Sequence, residues 1–491
     1  MVPEPQNIAK NTTWLTSSYI IQKILAFIYF TLIARFLGAQ NIGIYTFSLS
    51  LTTIFSIFID FGLANVLIRE AAKFKEKAND YLNNIISVKI LFSLISYLAV
   101  VIVINLLNKP ALTQNMVYLA GFVMILDSFT LSFFAIFRAY QNLKFEAVSI
   151  VFNQIVILII GLVGIYLHFP LYILIIALLA GSVFNFLYSL IFLKIKLKFK
   201  FKFSWSKITL KTLFKIALPF ALAGIFTRVY SYIDQILISV LIGDKYLGWY
   251  SVPYKITYAF QFLPAAFAAA IYPAMSDCYL NNKERLKMIF DRSMYILIVL
   301  CIPLAIGIAS LADKIIIFLY TQEYQPSILA LQIMIISVIP LFLSFPVGSI
   351  LNACDKQTTN TINLGITMVI SVVMNIILIP KYQHIGAAIT ALISLTMLFI
   401  LNLAWVPKIV KYDYKFLLIK SAKTIFASVI MGLVILYFKN SVNFLILIII
   451  GALLYLVLMY LIKGYTKDDI TYLWQAIFKK TKYEENLVDN N

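Results

Sequence analysis

About fourteen stretches of the chain, from residues 12–36 to 443–462, are apolar for the roughly 20 residues that one helix needs to cross a hydrocarbon layer. Inside lipid a backbone finds no water to bond, and an α-helix satisfies its peptide groups within one segment. The expected fold class is therefore all-α, a polytopic membrane protein of about 14 transmembrane helices. With 62% hydrophobic and 12% charged residues, the composition excludes a soluble domain of ordinary balance. The formal charge of +19 is not a nucleic-acid signature either. With the N-terminus and every second loop assigned to the cytoplasm, about 29 of the 40 Lys and Arg residues fall there, and about 5 on the other side. This positive-inside pattern places both termini in the cytoplasm and turns the basic loops towards anionic membrane lipids, with no nucleic acid as partner.

A repeat organises the spans. Phe36-Leu37-Gly38-Ala39-Gln40-Asn41-Ile42-Gly43-Ile44-Tyr45 recurs as Leu241-Ile242-Gly243-Asp244-Lys245-Tyr246-Leu247-Gly248-Trp249-Tyr250, each copy joining two apolar segments. A weaker echo links Ala139-Tyr140-Gln141-Asn142 with Ala353-Cys354-Asp355-Lys356. Duplication of a membrane-embedded unit accounts for both. The chain divides into a first lobe over 1–193 and a basic cytoplasmic linker over 194–211. A second lobe follows over 212–410, two further spans over 411–462, and a tail over 463–491. The linker alternates Lys with apolar residues from Lys194 to Phe203, which predicts an extended strip on the cytoplasmic leaflet, anchored by its lysines. The tail repeats Ile470, Leu473, Trp474, Ile477 and Phe478 at helical spacing, as an interfacial helix does. Prolines inside spans collect in the second lobe, so the seventh and eighth helices are expected to be bent or broken.

Soluble-enzyme signatures are missing from the sequence: it has no glycine-lysine phosphate loop and no His/Cys cluster of metal spacing. Cys278, Cys301 and Cys354 read as buried or reduced thiols. No catalytic residue, metal or cofactor is expected. What remains is a set of charges within spans, each costing roughly 2.5–3.5 kcal/mol on insertion scales. The offset that relates the repeats also relates Lys23 to Arg228, two cations near mid-span. They suggest an anion between the lobes. Arg35 and Lys255, and the sugar-stacking Tyr230, extend the substrate-binding set. Asp60, Asp127 and Asp234 are candidates for coupling to a proton or sodium ion. Neutralisation within the protein is the competing expectation, with Lys23 paired to Asp127 or Asp60, and Arg228 to Asp234. Lys89 and Lys215 are expected to snorkel towards the inner surface.

Several motifs together carry a resemblance. Leu37-Gly38 to Tyr45, Ile59-Asp60-Phe61-Gly62-Leu63 and Ile68-Arg69-Glu70 in the first lobe are similar to the polysaccharide flippases of the multidrug/oligosaccharidyl-lipid/polysaccharide superfamily. So are Ile233-Asp234-Gln235-Ile236-Leu237-Ile238, Gly248-Trp249-Tyr250, Pro273-Ala274-Met275-Ser276 and Ile379-Pro380-Lys381-Tyr382 with Ile385-Gly386-Ala387-Ala388. The resemblance implies two six-helix lobes about a central cavity and transport by alternating access. It implies as substrate a polyprenyl-phosphate- or pyrophosphate-linked oligosaccharide, moved from the inner to the outer leaflet. A polysaccharide polymerase or glycosyltransferases are further candidate partners. The alternatives are a peptidoglycan-precursor flippase, a cation or drug antiporter of the same superfamily, and a membrane scaffold for a polysaccharide synthesis complex.

Overall fold

The computed structural model describes residues 5–465, with side chains from Thr13 onward. The described residues form sixteen α-helices. The first lobe holds α1 (Pro5–Asp60), α2 (Leu63–Lys73), α3 (Ala78–Leu106), α4 (Ala111–Ala139), α5 (Leu143–Tyr166) and α6 (Ile173–Lys196). The second holds α7 (Lys207–Leu241), α8 (Asp244–Ala259), α9 (Phe262–Asn281), α10 (Lys283–Ser310), α11 (Ala312–Tyr320), α12 (Ser327–Ile336), α13 (Val338–Ala353) and α14 (Gln357–Leu403). The last two are α15 (Tyr414–Phe438) and α16 (Phe444–Leu461). Twelve helical stretches are long and apolar enough to cross a membrane. Two of them, Thr13–Lys73 and Gln357–Lys408, are far longer than one crossing needs, and α1 and α14 within them are interrupted at Gly38 and Gln383. The interfacial helix expected in the tail lies beyond the described residues.

Each break has a local cause. Gly38 takes φ 75° and Gly243 φ 108°, a region that costs a side chain but not glycine. Proline sets two others. Pro264 and Pro340 cannot donate to the carbonyl four residues back, and the helix stops there, at Phe260–Gln261 between α8 and α9 and at Ser337 between α12 and α13. The eighth span is thus broken, as its prolines suggested, whereas α7 runs unbroken through Pro219. The weaker echo is real in three dimensions as well. Gln141 and Asp355 both turn left-handed, at φ 55° and 58°. Each is followed by an amide that reaches back to the preceding helix, Asn142 to Phe137 and Lys356 to Leu351, at 2.8 Å in both cases.

The repeats meet backbone to backbone. A Cβ on Gly43 would lie 1.7 Å from the Asp244 carbonyl oxygen, and one on Gly248 would lie 1.8 Å from that of Ala39. Both contacts join the same two positions of the repeat, taken in opposite order. One helical turn further on, Ser251 Oγ donates to its own repeat equivalent, Thr46 Oγ1, at 3.2 Å. A residue that bonds its own counterpart lies on the pseudo-two-fold axis. At this end of the molecule the lobes are therefore in contact along a dry seam.

The linker differs from expectation in what holds it. Its alternation holds over the middle of the strip, where Lys198, Lys200 and Lys202 are exposed while Phe199 is buried and Phe201 half-buried against Tyr140 and Phe133. Lys194 to Lys196 instead end helix α6, and Ile195 and Phe203 are exposed. Its backbone, however, is fastened to α3. Asn79 Oδ1 and Asn83 Oδ1 accept from the amides of Lys200 and Lys202, Ser87 Oγ from Ser204, and Asn84 Oδ1 from Ser206. These four side chains lie on one face of α3, and they bind every second amide of an extended strand. Lipid anchorage alone would not need them.

The seam generates a direct test. With Cys278, Cys301 and Cys354 replaced by Ala, Thr46→Cys and Ser251→Cys together should form a disulfide on mild oxidation, seen as protection from thiol labelling. Adding Gly248→Ala should slow that oxidation several-fold, because its methyl cannot be fitted against Ala39. Equal rates with and without the alanine would mean that the lobes do not close at this seam.

Candidate functional site

Below the seam the lobes part, and two connected cavities occupy the space. The one next to the seam, of about 270 Å³, is lined by α1, α5, α6, α7 and α8. Its walls carry the hydroxyls of Tyr29, Tyr45, Thr46, Ser50 and Ser251, the amides of Gln154 and Gln235, and one charge, Lys255. No carboxylate lines it. Lys255 packs over the Phe30 ring at 5.3 Å. Lys23 itself is exposed and lines none of the cavities described. The second cavity, of about 400 Å³, shares Leu49, Thr53 and Leu178 with the first. It contains Asp60, Asp127 and, from α7, Arg228.

The two cavities differ in charge balance. Lys89 is wholly buried and donates to Asp60 Oδ1 at 2.6 Å and to the Ser128 carbonyl at 2.8 Å. The expectation that Lys89 snorkels is therefore corrected. Helix α3 begins at Ala78, which puts Lys89 about 16 Å along it at 1.5 Å per residue, too deep to reach an end. Asp60 is thereby neutralised by a neighbour, and Asp127 accepts from Ser182 Oγ at 2.7 Å. Arg228 and Lys89 face two carboxylates, a balanced set. Lys255 is not balanced by any acid of the cavity that it lines.

The other sequence candidates are placed elsewhere. Asp234 accepts from the Tyr250 hydroxyl and from the Gln235 amide, so it pairs with neither Arg228 nor Lys23. With Tyr230, Ser371, Asn375 and Ser394 it lines a small pocket inside the second lobe, which shares Tyr254 with the cavity next to the seam. Tyr230 donates there to Ser394 Oγ at 3.4 Å and does not line either of them. Arg35 donates to the Phe318 carbonyl at 2.8 Å, at the seam end. Sequence reasoning missed Gln154 and Gln235, which carry no charge to mark them, and Gln235 accepts from Ser50 Oγ across the lobes. It also missed an apolar cavity of about 640 Å³ between α10, α11, α15 and α16. Phe27 and Ile256 close that cavity on one side, next in sequence to Ala26 and Lys255 of the polar cavity.

Residues 8–279 match the family described as polysaccharide biosynthesis protein, more than half of the chain. The chain belongs to this family. Residues 219–377 also match the family described as MatE. Over 448 residues the chain is 23% identical to "Probable low-salt glycan biosynthesis flippase Agl15" of Haloferax volcanii, covering 91% of this chain and 93% of that one. A 187-residue stretch is 29% identical to "Probable flippase AglR" of the same organism, but covers only 37% of this chain and 39% of that protein. Among solved structures, "Lipid II flippase MurJ, inward closed conformation" superposes with a TM-score of 0.73 at 17% identity, covering 91% of this chain and 98% of that one. The fold is that of a multi-pass membrane transporter, as the family predicts.

The buried ion pair can be tested on its own. Lys89→Met leaves the Asp60 carboxylate without its cation and should cost about 3–5 kcal/mol of stability. Adding Asp60→Asn should recover most of that loss. Thermal melting of the purified variants reads both, and a double variant no more stable than Lys89→Met would show that the pair is not the source of the effect.

Proposed function

We propose that this protein flips a polyprenyl-phosphate- or pyrophosphate-linked oligosaccharide from the cytoplasmic to the outer leaflet by alternating access, without catalysing a covalent step. The observation that carries the proposal is the order of environments across α1 and α8. An apolar cavity adjoins a polar, tyrosine- and amide-lined cavity whose one charge is the cation Lys255. A lipid-linked sugar phosphate has the same order of tail, anion and glycan. Lys23 and Lys255 meet the phosphate, and Arg228 offers a second, bidentate grip as the substrate moves into the neighbouring cavity. The polysaccharide biosynthesis family and the relative named as a probable glycan biosynthesis flippase support this substrate class. An antiporter of cations would need carboxylates in the cavity next to the seam, and its lining has none.

In this reading Arg35 acts at the seam rather than on substrate. Asp234, in its pocket of hydroxyls and an amide, is the coupling site for a proton or sodium ion, with Asp127 as the counterpart in the first lobe. Counting both halves of the two interrupted stretches as crossings gives fourteen spans, an even number consistent with both termini on one side, and the basic loops favour the cytoplasmic one. The exposed linker lysines then meet anionic lipid headgroups. A polymerase or glycosyltransferase would receive or supply the substrate.

Flipping is measured in proteoliposomes as protection of a fluorescently tagged undecaprenyl-pyrophosphate sugar from an external quencher. Arg228→Ala, Lys255→Met and Lys23→Ala should each lower the rate about tenfold or more, the worth of a charge-assisted bond. Melting temperatures should change little, since each variant removes a charge that the membrane disfavours. Wild-type rates in all three would overturn the phosphate assignment.

A further inference from the structure

The lobes also grip each other at the Gly38 and Gly243 breaks, by contacts that run in opposite directions. From the second lobe, the hairpin of α11 and the 3₁₀ turn at 322–324 reaches over the first. Glu323 Oε1 accepts from the Ala39 amide at 2.8 Å. That amide opens the second half of α1, where unpaired N–H groups and the helix dipole favour a carboxylate. A Cβ on Gly38 would lie 2.8 Å from the other carboxylate oxygen, so glycine is needed there for space as well as for its φ. Two neighbours reinforce the hold: the Tyr324 hydroxyl donates to the Ala34 carbonyl at 3.1 Å, and Arg35 to that of Phe318.

From the first lobe, Lys109 does the reciprocal job. It sits in the loop between α3 and α4 and donates to Asp244 Oδ1 at 3.0 Å and to the Ser239 carbonyl at 2.7 Å. Asp244 follows Gly243 as Ala39 follows Gly38. Each latching residue thus comes from the loop that joins the third and fourth spans of its own lobe, and each engages the residue after the glycine break of the other. The chemistry is not symmetric, because one latch is an acid on a helix N-terminus and the other a base on an acid. The Gly43 and Gly248 contacts lie between the two latches, so the seam cannot part while both are engaged.

We propose that Glu323 and Lys109 are reciprocal latches that set how often the seam end of the cavity opens, Glu323 acting as a positioning residue for flipping. This rests on the alternating-access reading above. Glu323 is exposed, so its hold is screened and modest, whereas Lys109 and Asp244 are largely buried and hold more strongly.

The test uses the full-length protein in nanodiscs, with Cys278, Cys301 and Cys354 replaced by Ala and spin labels at Gln40→Cys and Lys245→Cys. These are exposed repeat equivalents that flank the seam. Glu323→Ala should enlarge the long-distance population about fivefold, and Lys109→Met about tenfold or more. The two together should act nearly multiplicatively, and Glu323→Asp should restore part of the closed population. A distance distribution unchanged in the double variant, with a wild-type melting temperature, overturns the latches. Should Lys109→Met fail to fold, Glu323→Ala and Glu323→Gln still decide, the latter opening less because it keeps an acceptor oxygen. Flipping of undecaprenyl-pyrophosphate sugar by the wild type is scored separately. Variants that open in a protein that flips nothing leave the latches standing and sink the transport reading, and normal flipping with variants that stay closed does the reverse.

Discussion

Two glycines allow the backbones of the repeats to touch, and the rest of the architecture follows from that contact. Gly43 and Gly248 each leave room for a carbonyl of the opposite lobe where any side chain would collide. Helices that meet so closely at one end, while bearing tyrosines, glutamines and a lysine further along, must diverge. The central cavities are the result of that divergence. A membrane protein gains little from hydrophobic association between helices, because lipid is as apolar as leucine, so close packing of small residues is the main means of fixing one lobe on another. Here that packing forms the seam and recurs at the other end, where Gly62 lies against the backbone of Ala217 and Ala221 in α7.

Charge is distributed with equal economy. The molecule buries Lys89 and Asp60 as a hydrogen-bonded pair, so neither presents net charge to the cavity that Asp60 lines. Lys255 has no acid beside it in the cavity that it lines. An uncompensated cation in an enclosed site raises the affinity for any anion that enters, and the surrounding hydroxyls and amides can satisfy the neutral atoms attached to it. Neutral and charged compartments side by side let a ligand carrying one anionic group be held firmly at one position and loosely at the next.

Much of this was legible in the residues. The repeat at constant offset paired Gly38 with Gly243 and Gly43 with Gly248, but gave no sign that the two copies touch. Composition and the alternation of basic loops established the class. What stayed hidden depends on contacts between segments far apart in the chain. Lys89 looked like a snorkelling lysine because the start of its helix, and so its depth along α3, is hard to read from sequence. Asp234 and Arg228 lie on one helix, yet they serve different pockets. Tyr230 faces away from the cavity into which its neighbours point, since the rotation of a helix buried on several sides leaves no clean polar face in the sequence. The linker's alternation was legible only over Lys198 to Lys202, and its backbone ties were not, because nothing in an alternating Lys-Phe strip announces the asparagines of another helix.

That linker has a further consequence. Asn79, Asn83, Asn84 and Ser87 grip main-chain amides, which every residue except proline possesses. The strip is therefore docked with little regard to which side chains its outward face displays. Lys198, Lys200 and Lys202 could be exchanged for other residues while the strand stayed in place. A proline at 200, 202, 204 or 206 would instead remove a rung and loosen the tie between the lobes. The outer face of the linker is thus a surface free to drift in chemistry, carried on a track whose path is held by α3.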